Sequence, residues 1–125
     1  MIGHVGIKVK DFAVSKAFYE KALAPLGYKP LFGQEGQYYG FGIGRPDFWI
    51  SAATEDKPVS VSVHFAFATK TQDEVQAFYE AALSAGGTSN GAPGPRPEYG
   101  PTYYGGFVLD PDGNNIEAVV VPQVS

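Results

Sequence analysis

Three polar side chains stand inside apolar segments of the sequence. The only two histidines, His4 and His64, interrupt residues 1–9 and 61–67, and Glu117 interrupts residues 114–121. A buried carboxylate is costly unless a cation compensates it. For Glu117 that cation is an arginine or lysine, a protonated histidine, or a metal ion, and each histidine could instead be a core residue with one hydrogen-bond partner. Two imidazoles and one carboxylate are also a ligand set for Zn, Ni, Mn or Fe(II).

The two histidines occupy equivalent places in an internal repeat. His4 and His64 are 60 positions apart, and at the same offset residues 17–20 and 77–80 both read Ala-Phe-Tyr-Glu. A repeat of about half the chain indicates a duplicated module rather than a solenoid. We therefore expect two modules in one domain, about 1–56 and 57–125, related by pseudo-symmetry that brings equivalent positions together.

Each module predicts a strand, a helix and three further strands. Asp11 is the expected cap of the first helix, and Thr71 with Glu74 forms a capping box for the second. The segment Asp-Pro-Asp-Gly-Asn at 110–114 suits a tight turn. The sequence thus predicts an α+β fold of two βαβββ modules, with curved mixed sheets around a central pocket. The predicted strands are 2–9, 28–32, 37–43, 47–53, 59–68, 87–90, 103–109 and 114–121.

Strand alternation places the three polar side chains on the same class of sheet face. Side chains alternate between faces with a period of two. Val5, Ile7 and Val9 should then pack under the first helix, which turns His4 to the opposite face. The same parity in the later strands puts His64 and Glu117 on the face away from the second helix.

A segment rich in proline and glycine, residues 90–104, is expected to be a long loop that covers a site. Arg96 is its one cation and could meet an anionic substrate group, although a solvated surface arginine is the alternative. Tyr99, Tyr103 and Tyr104 could stack on a planar ligand or simply pack in the sheet. Trp49, the only tryptophan, is expected either to line the pocket floor or to fill the core.

Composition restricts the function classes. The chain has 125 residues, no cysteine and a formal net charge of −4, with scattered basic residues. This argues against nucleic-acid binding and against thiolate chemistry. We expect no membrane-spanning helix and no signal peptide, and hence a cytoplasmic protein.

These segments resemble the vicinal oxygen chelate superfamily, which includes glyoxalases, bleomycin-resistance proteins and extradiol dioxygenases. The resemblance is carried by residues 3–11, 17–28, 63–67, 77–87 and 103–119, and it covers essentially the whole chain. It implies His4, His64 and Glu117 as ligands of a divalent metal ion, and it implies a dimer. The family's fourth ligand, usually Glu or Gln, would align with Ser51 or with Trp49. Neither is a carboxylate or amide, which argues against lactoylglutathione lyase activity.

Two functions follow from this resemblance. The first is a metal-dependent enzyme that chelates a small oxygen-rich substrate and stabilises an enolate-type anion, by isomerisation, lyase or dioxygenase chemistry. The second is a metal-free protein of the bleomycin-resistance type that binds a drug or another small molecule. A third possibility is that the polar set is a relic on a stable fold. No general base can be assigned, and the site could lie within one chain or be shared across a homodimer.

Overall fold

The computed structural model describes residues 1–121, which form two successive modules of one helix and four strands. The elements of the first module are β1 (Val5–Val9), α1 (Phe12–Leu23), a 3-10 turn (Ala24–Leu26), β2 (Lys29–Gln34), β3 (Tyr38–Ile43) and β4 (Arg45–Ala52). The elements of the second module are β5 (His64–Thr69), α2 (Gln72–Ser84), β6 (Thr88–Pro95), a 3-10 turn (Pro97–Tyr99), β7 (Tyr104–Leu109) and β8 (Asn115–Val120).

The strand order is the same in both sheets. It is β1-β4-β3-β2 in the first and β5-β8-β7-β6 in the second. The first and last strands of each module are parallel neighbours, whereas the remaining pairs are antiparallel. The predicted α+β fold of two βαβββ modules with mixed sheets is therefore confirmed.

Both helices begin at the residues that the sequence predicts. The carboxylate of Asp11 accepts a hydrogen bond from the backbone N–H of Val14. Thr71 and Glu74 exchange the two hydrogen bonds of a capping box at the start of α2. These caps satisfy backbone donors that the first helical turn would otherwise leave unpaired.

The two modules share one hydrophobic core. Phe48 of β4 is 1% exposed, and its ring centroid lies 5.0 Å from that of Phe65 and 5.5 Å from that of Phe67, both in β5. The sheets thus meet through the faces that carry the helices. Neither helix of residues 1–121 lies against the opposite face of each sheet, here called the outer face.

A buried hydrogen-bond cluster ties the 110–114 turn to the first module. The Tyr19 hydroxyl donates to Asp110 Oδ2 at 2.5 Å, and burial beside this carboxylate raises the pKa of Tyr19 well above its usual value. Asp110 also accepts from the backbone N–H groups of Asp112 and Asn114 and from the Asn114 side chain. Asn114 Oδ1 in turn accepts from the backbone N–H of Val63, directly before β5. The cluster therefore fixes the start of both β5 and β8.

Two predicted strand starts need correction. Strand β1 begins at Val5 rather than at residue 2, so that His4 lies just before it, and β5 begins at His64 rather than at residue 59. Residues before β5 instead run beside β1, where the backbone N–H of Ser60 donates to the carbonyl of Lys8.

Strand β6 extends to Pro95, so residues 90–95 of the predicted loop 90–104 are strand. The prolines are tolerated because β6 is an edge strand whose pairing with β7 is interrupted by bulges. Residues 122–125 of the predicted second module lie outside the described part of the chain. Among residues 1–121, neither helix combines the length and apolarity that crossing a bilayer requires.

Candidate functional site

The chemistry-bearing side chains of the second module meet on the outer face of its sheet. His64 pairs with Asn115 between the parallel strands β5 and β8, and Phe107 of β7 pairs with Glu117. Because strand residues alternate faces, this register turns His64, Phe107, Asn115 and Glu117 to the same side. The predicted parity of His64 and Glu117 thus agrees with the register.

His64 and Glu117 are in direct contact. Nε2 of His64 lies 3.3 Å from Oε1 of Glu117. On the other side of the ring, Nδ1 lies 2.9 Å from the backbone carbonyl of Asn115. A carbonyl oxygen only accepts, so Nδ1 carries a proton and donates it. In the neutral ring Nε2 then has its lone pair directed toward the carboxylate.

The carboxylate of Glu117 is held on its other oxygen as well. The residue is only 2% exposed, and Oε2 accepts a hydrogen bond from the Tyr103 hydroxyl. Burial, together with this hydrogen bond to Glu117, raises the pKa of Tyr103 to about 12. Tyr103 therefore remains a proton donor at neutral pH. A Cβ at Gly105 would lie 2.9 Å from Oε2, so a glycine is what leaves room for the carboxylate.

The pair lies in a groove with aromatic walls. The groove has a volume of about 500 Å³, and its lining residues are His64, Tyr99, Tyr103, Phe107, Asn115 and Glu117. The rings of Tyr99 and Tyr103 meet edge to face at 5.2 Å, and Phe107 lies nearly parallel to the His64 ring at 6.4 Å. An adjoining depression of about 320 Å³ adds Arg96 and Asn90. We call the two together the outer groove.

His4 does not join this pair within one chain. It is exposed, precedes β1, and lines a cleft of about 420 Å³ that Asp47 and His64 also line. Within residues 1–121, no three His, Cys, Asp or Glu side chains gather closely enough to hold a metal ion. One chain therefore brings together two of the three ligands that the sequence predicts.

The register identifies Trp49 as the counterpart of Glu117. Gly6 pairs with Trp49 in the first sheet, as Ala66 pairs with Glu117 in the second, and Gly6 and Ala66 differ by the repeat offset. Ser51, the alternative that the sequence left open, pairs with Lys8.

Trp49 is part of an aromatic cluster on the outer face of the first sheet. Its ring lies 6.3 Å from that of Phe32 and 6.4 Å from that of Tyr38. Phe32 is 61% exposed. Within one chain this cluster is separate from the outer groove.

Of the remaining predicted binding residues, Arg96, Tyr99 and Tyr103 lie along the outer groove, whereas Tyr104 does not. Its hydroxyl accepts a hydrogen bond from Gln76 of α2, on the helix side of the sheet. Phe107 and Asn115 also line the groove, although no motif in the sequence marks them as site residues. Their strand parity with Glu117 is the signal that could have identified them.

Comparison with known proteins agrees with this fold. The sequence pattern of the Glyoxalase/Bleomycin resistance protein/Dioxygenase superfamily matches residues 1–118. A glyoxalase/bleomycin resistance protein from Albidiferax ferrireducens T118 is 29% identical, with a TM-score of 0.79, and the match covers 96% of this chain and 98% of that chain. The comparison with curated protein sequences gave no match.

More distant solved structures share the fold. A glyoxalase-related enzyme from Fulvimarina pelagi is 22% identical with a TM-score of 0.74, and the match covers 98% of this chain and 88% of that chain. A lactoylglutathione lyase from Agrobacterium tumefaciens is 18% identical with a TM-score of 0.69, covering 96% of this chain and 92% of that chain. The match over residues 1–118, in a chain with this strand order, shows that the protein belongs to the Glyoxalase/Bleomycin resistance protein/Dioxygenase superfamily.

Proposed function

We propose that the protein is a divalent-metal-dependent enzyme that binds a small oxygen-containing substrate in the outer groove. In this proposal His64 and Glu117 hold the metal ion. The observation that carries it is the contact between Nε2 of His64 and Oε1 of Glu117. The second polar atom of each side chain, Nδ1 of His64 and Oε2 of Glu117, is held by a hydrogen bond.

The separation of the two atoms favours a shared metal ion over a simple ion pair. Charge-assisted N–H···O bonds are usually about 2.7–2.9 Å long. Two ligands bound to zinc at roughly 2.0–2.1 Å, at a tetrahedral angle, lie roughly 3.3 Å from each other. The observed distance is 3.3 Å. The residues present therefore fit two positions of a metal site.

The surroundings of the pair resemble those of metal ligands. Ligating histidines commonly donate their second ring N–H to a carbonyl, and ligating carboxylates are themselves hydrogen-bonded. Here Nδ1 of His64 donates to the carbonyl of Asn115, and Tyr103 donates to Glu117. A bound divalent ion would supply Lewis-acid stabilisation of an anionic oxygen of the substrate. Tyr103 would keep one carboxylate oxygen in place, while Tyr99 and Phe107 would orient the substrate between their rings.

We further propose that His4 of a second copy completes the ligand set in a homodimer. One chain supplies two of the three predicted ligands, and neither of the helices in the described residues covers the outer face of a sheet. The aromatic cluster of Phe32, Tyr38 and Trp49 would then face the outer groove of the other copy. Trp49 cannot ligate a metal, so three protein ligands would leave positions free for substrate.

The alternative function is a metal-free binding protein for drugs or other small molecules. The specific observation in its favour is the aromatic lining of the outer groove, which would hold a planar ligand without any ion. Metal content separates the two functions.

Elemental analysis of protein purified without a histidine tag or chelator tests the proposal. We expect one divalent ion per chain, and His64→Ala should weaken its binding by more than about 100-fold because it removes a ligand rather than a supporting group. Tyr104→Phe is the matched control, since Tyr104 lies on the helix side of the sheet, and it should retain the metal.

The identity of the ion would then separate Fe(II) oxygenation from Lewis-acid chemistry with Zn, Ni or Mn. Protein that holds no metal, and gains none when these ions are added anaerobically, would overturn the metalloenzyme proposal and favour the binding protein.

A further inference from the structure

The guanidinium of Arg96, at one end of the outer groove, is held in a fixed position by its neighbours. Its guanidinium donates from Nη2 to the carbonyl of Ala92 at 2.8 Å and from Nη1 to the carbonyl of Pro95 at 3.2 Å. Its central carbon lies 5.3 Å from the centre of the Phe107 ring, within the range of a cation–π contact. These contacts fix the guanidinium plane, and with five N–H donors the group still has three to offer.

Two glycines of β6 leave room for the Arg96 guanidinium. A Cβ at Gly91 would lie 3.2 Å from Nη2, and a Cβ at Gly94 would lie 3.3 Å from Nη1. Gly91 also has a φ of +146°, and both glycines border interruptions in the pairing of β6 with β7. Bulges next to a site commonly redirect a strand so that a side chain is aimed. Here they allow the guanidinium to lie against the strand.

The charge of Arg96 has no acidic partner in the described residues. Within residues 1–121, the one ion pair formed by a lysine or arginine side chain is Lys16 with Glu35. A guanidinium that is partly buried, aligned by carbonyls and left without a carboxylate is suited to bind a planar anion through two parallel N–H···O bonds.

A second polar group, in the same depression as Arg96, lacks a hydrogen-bond donor within the described residues. Asn115 Oδ1 is buried and accepts no hydrogen bond within the described residues. Asn115 lines both parts of the outer groove, together with Tyr99 and Phe107. A buried acceptor without a donor costs free energy, and a ligand N–H or O–H would recover it. Recognition of such a donor would be independent of the anion at Arg96.

We propose that the outer groove selects planar organic anions that carry an N–H or O–H donor. The carboxylate of the ligand binds Arg96, its donor binds Asn115 Oδ1, and its flat body lies between Tyr99 and Phe107. This inference names the substrate class for the proposed function and rests on the outer groove being the ligand site. It does not require the metal ion.

Calorimetric titration with 4-hydroxybenzoate, in the presence of a chelator, tests the proposal in the metal-free protein. The methyl ester of the same compound removes the charge, and benzoate removes the donor. We expect 4-hydroxybenzoate to bind at least about tenfold more tightly than either analogue, because each lacks one hydrogen-bonded group. This comparison uses the unaltered protein, so it does not depend on the folding of a variant.

Two variants assign the contacts. Arg96→Gln should remove the preference for the acid over its ester, whereas Arg45→Gln, the only other arginine, should preserve it. Asn115→Leu should remove the preference for 4-hydroxybenzoate over benzoate. Equal binding of acid and ester, no binding of 4-hydroxybenzoate at millimolar concentration, or unchanged preferences in both variants would overturn the inference. The metal proposal would survive each of these results, since metal content is measured separately.

Discussion

Asp110→Ala should lower the free energy of unfolding by about 4 kcal/mol, because it leaves several donors in a buried cluster without an acceptor. Asp110 is 5% exposed and accepts from the Tyr19 hydroxyl, from two backbone N–H groups and from the Asn114 side chain. Unfolding by urea, followed by circular dichroism, measures the change.

Asp56→Ala is the matched control for this prediction. Asp56 is an exposed residue between β4 and β5, and its replacement should change stability by less than about 0.5 kcal/mol. Tyr19→Phe removes one donor but keeps the ring, so it should cost about 1–2 kcal/mol. A loss below about 1 kcal/mol for Asp110→Ala would show that the cluster does not hold the modules together.

Phe48→Ala is the second large effect, with an expected loss of about 4 kcal/mol, because a buried aromatic ring is replaced by a cavity. Phe48 is 1% exposed, and its ring contacts those of Tyr19 and Phe41 in the first module as well as Phe65 and Phe67 in the second. The substitution therefore removes packing within one module and between the two. Thermal unfolding in the calorimeter measures it.

Phe32→Ala provides the comparison for this second effect. Phe32 is 61% exposed on the outer face of the first sheet, so little apolar surface is lost from the single chain. We expect its cost to be below about 1 kcal/mol in the monomer. Equal costs for the two substitutions would contradict the description of Phe48 as the centre of a shared core.

The duplicated pattern and the helix caps were predictable because both are read directly from residue identity and spacing. The repeat offset fixes equivalent positions in the two modules, and Thr71 with Glu74 is sufficient to place the start of α2. The shared face of His64 and Glu117 follows from strand parity, which survives an error of a few residues at a strand end.

Other features depend on register or tertiary contacts that one sequence does not reveal. From the sequence, the counterpart of Glu117 could be either Trp49 or Ser51. The pairing of Gly6 with Trp49 in the structure identifies it as Trp49. Strand β6 reads as a loop because its prolines and glycines are tolerated only at a bulged sheet edge. The hydrogen bond between Tyr104 and Gln76 is likewise a tertiary contact, between β7 and α2.

The position of His4 is the feature that bears most on function. The sequence predicts it as a third ligand, yet within one chain it lies before β1 and does not gather with His64 and Glu117 into a three-ligand cluster. Pseudo-symmetry alone does not determine whether the two modules that face each other belong to one chain or to two. A ligand set divided between two copies would make metal binding and dimer formation depend on each other, since each would stabilise the other.

X-ray absorption at the zinc edge, on protein loaded with one zinc ion per chain, tests the assignment of the metal ligands. We expect two imidazole ligands and oxygen ligands at about 2.0–2.1 Å. We also expect one imidazole fewer in both His4→Ala and His64→Ala. A spectrum with no imidazole scattering, or one that His64→Ala leaves unchanged, would show that zinc binds elsewhere and would contradict the assignment of His64 and Glu117 as the metal site.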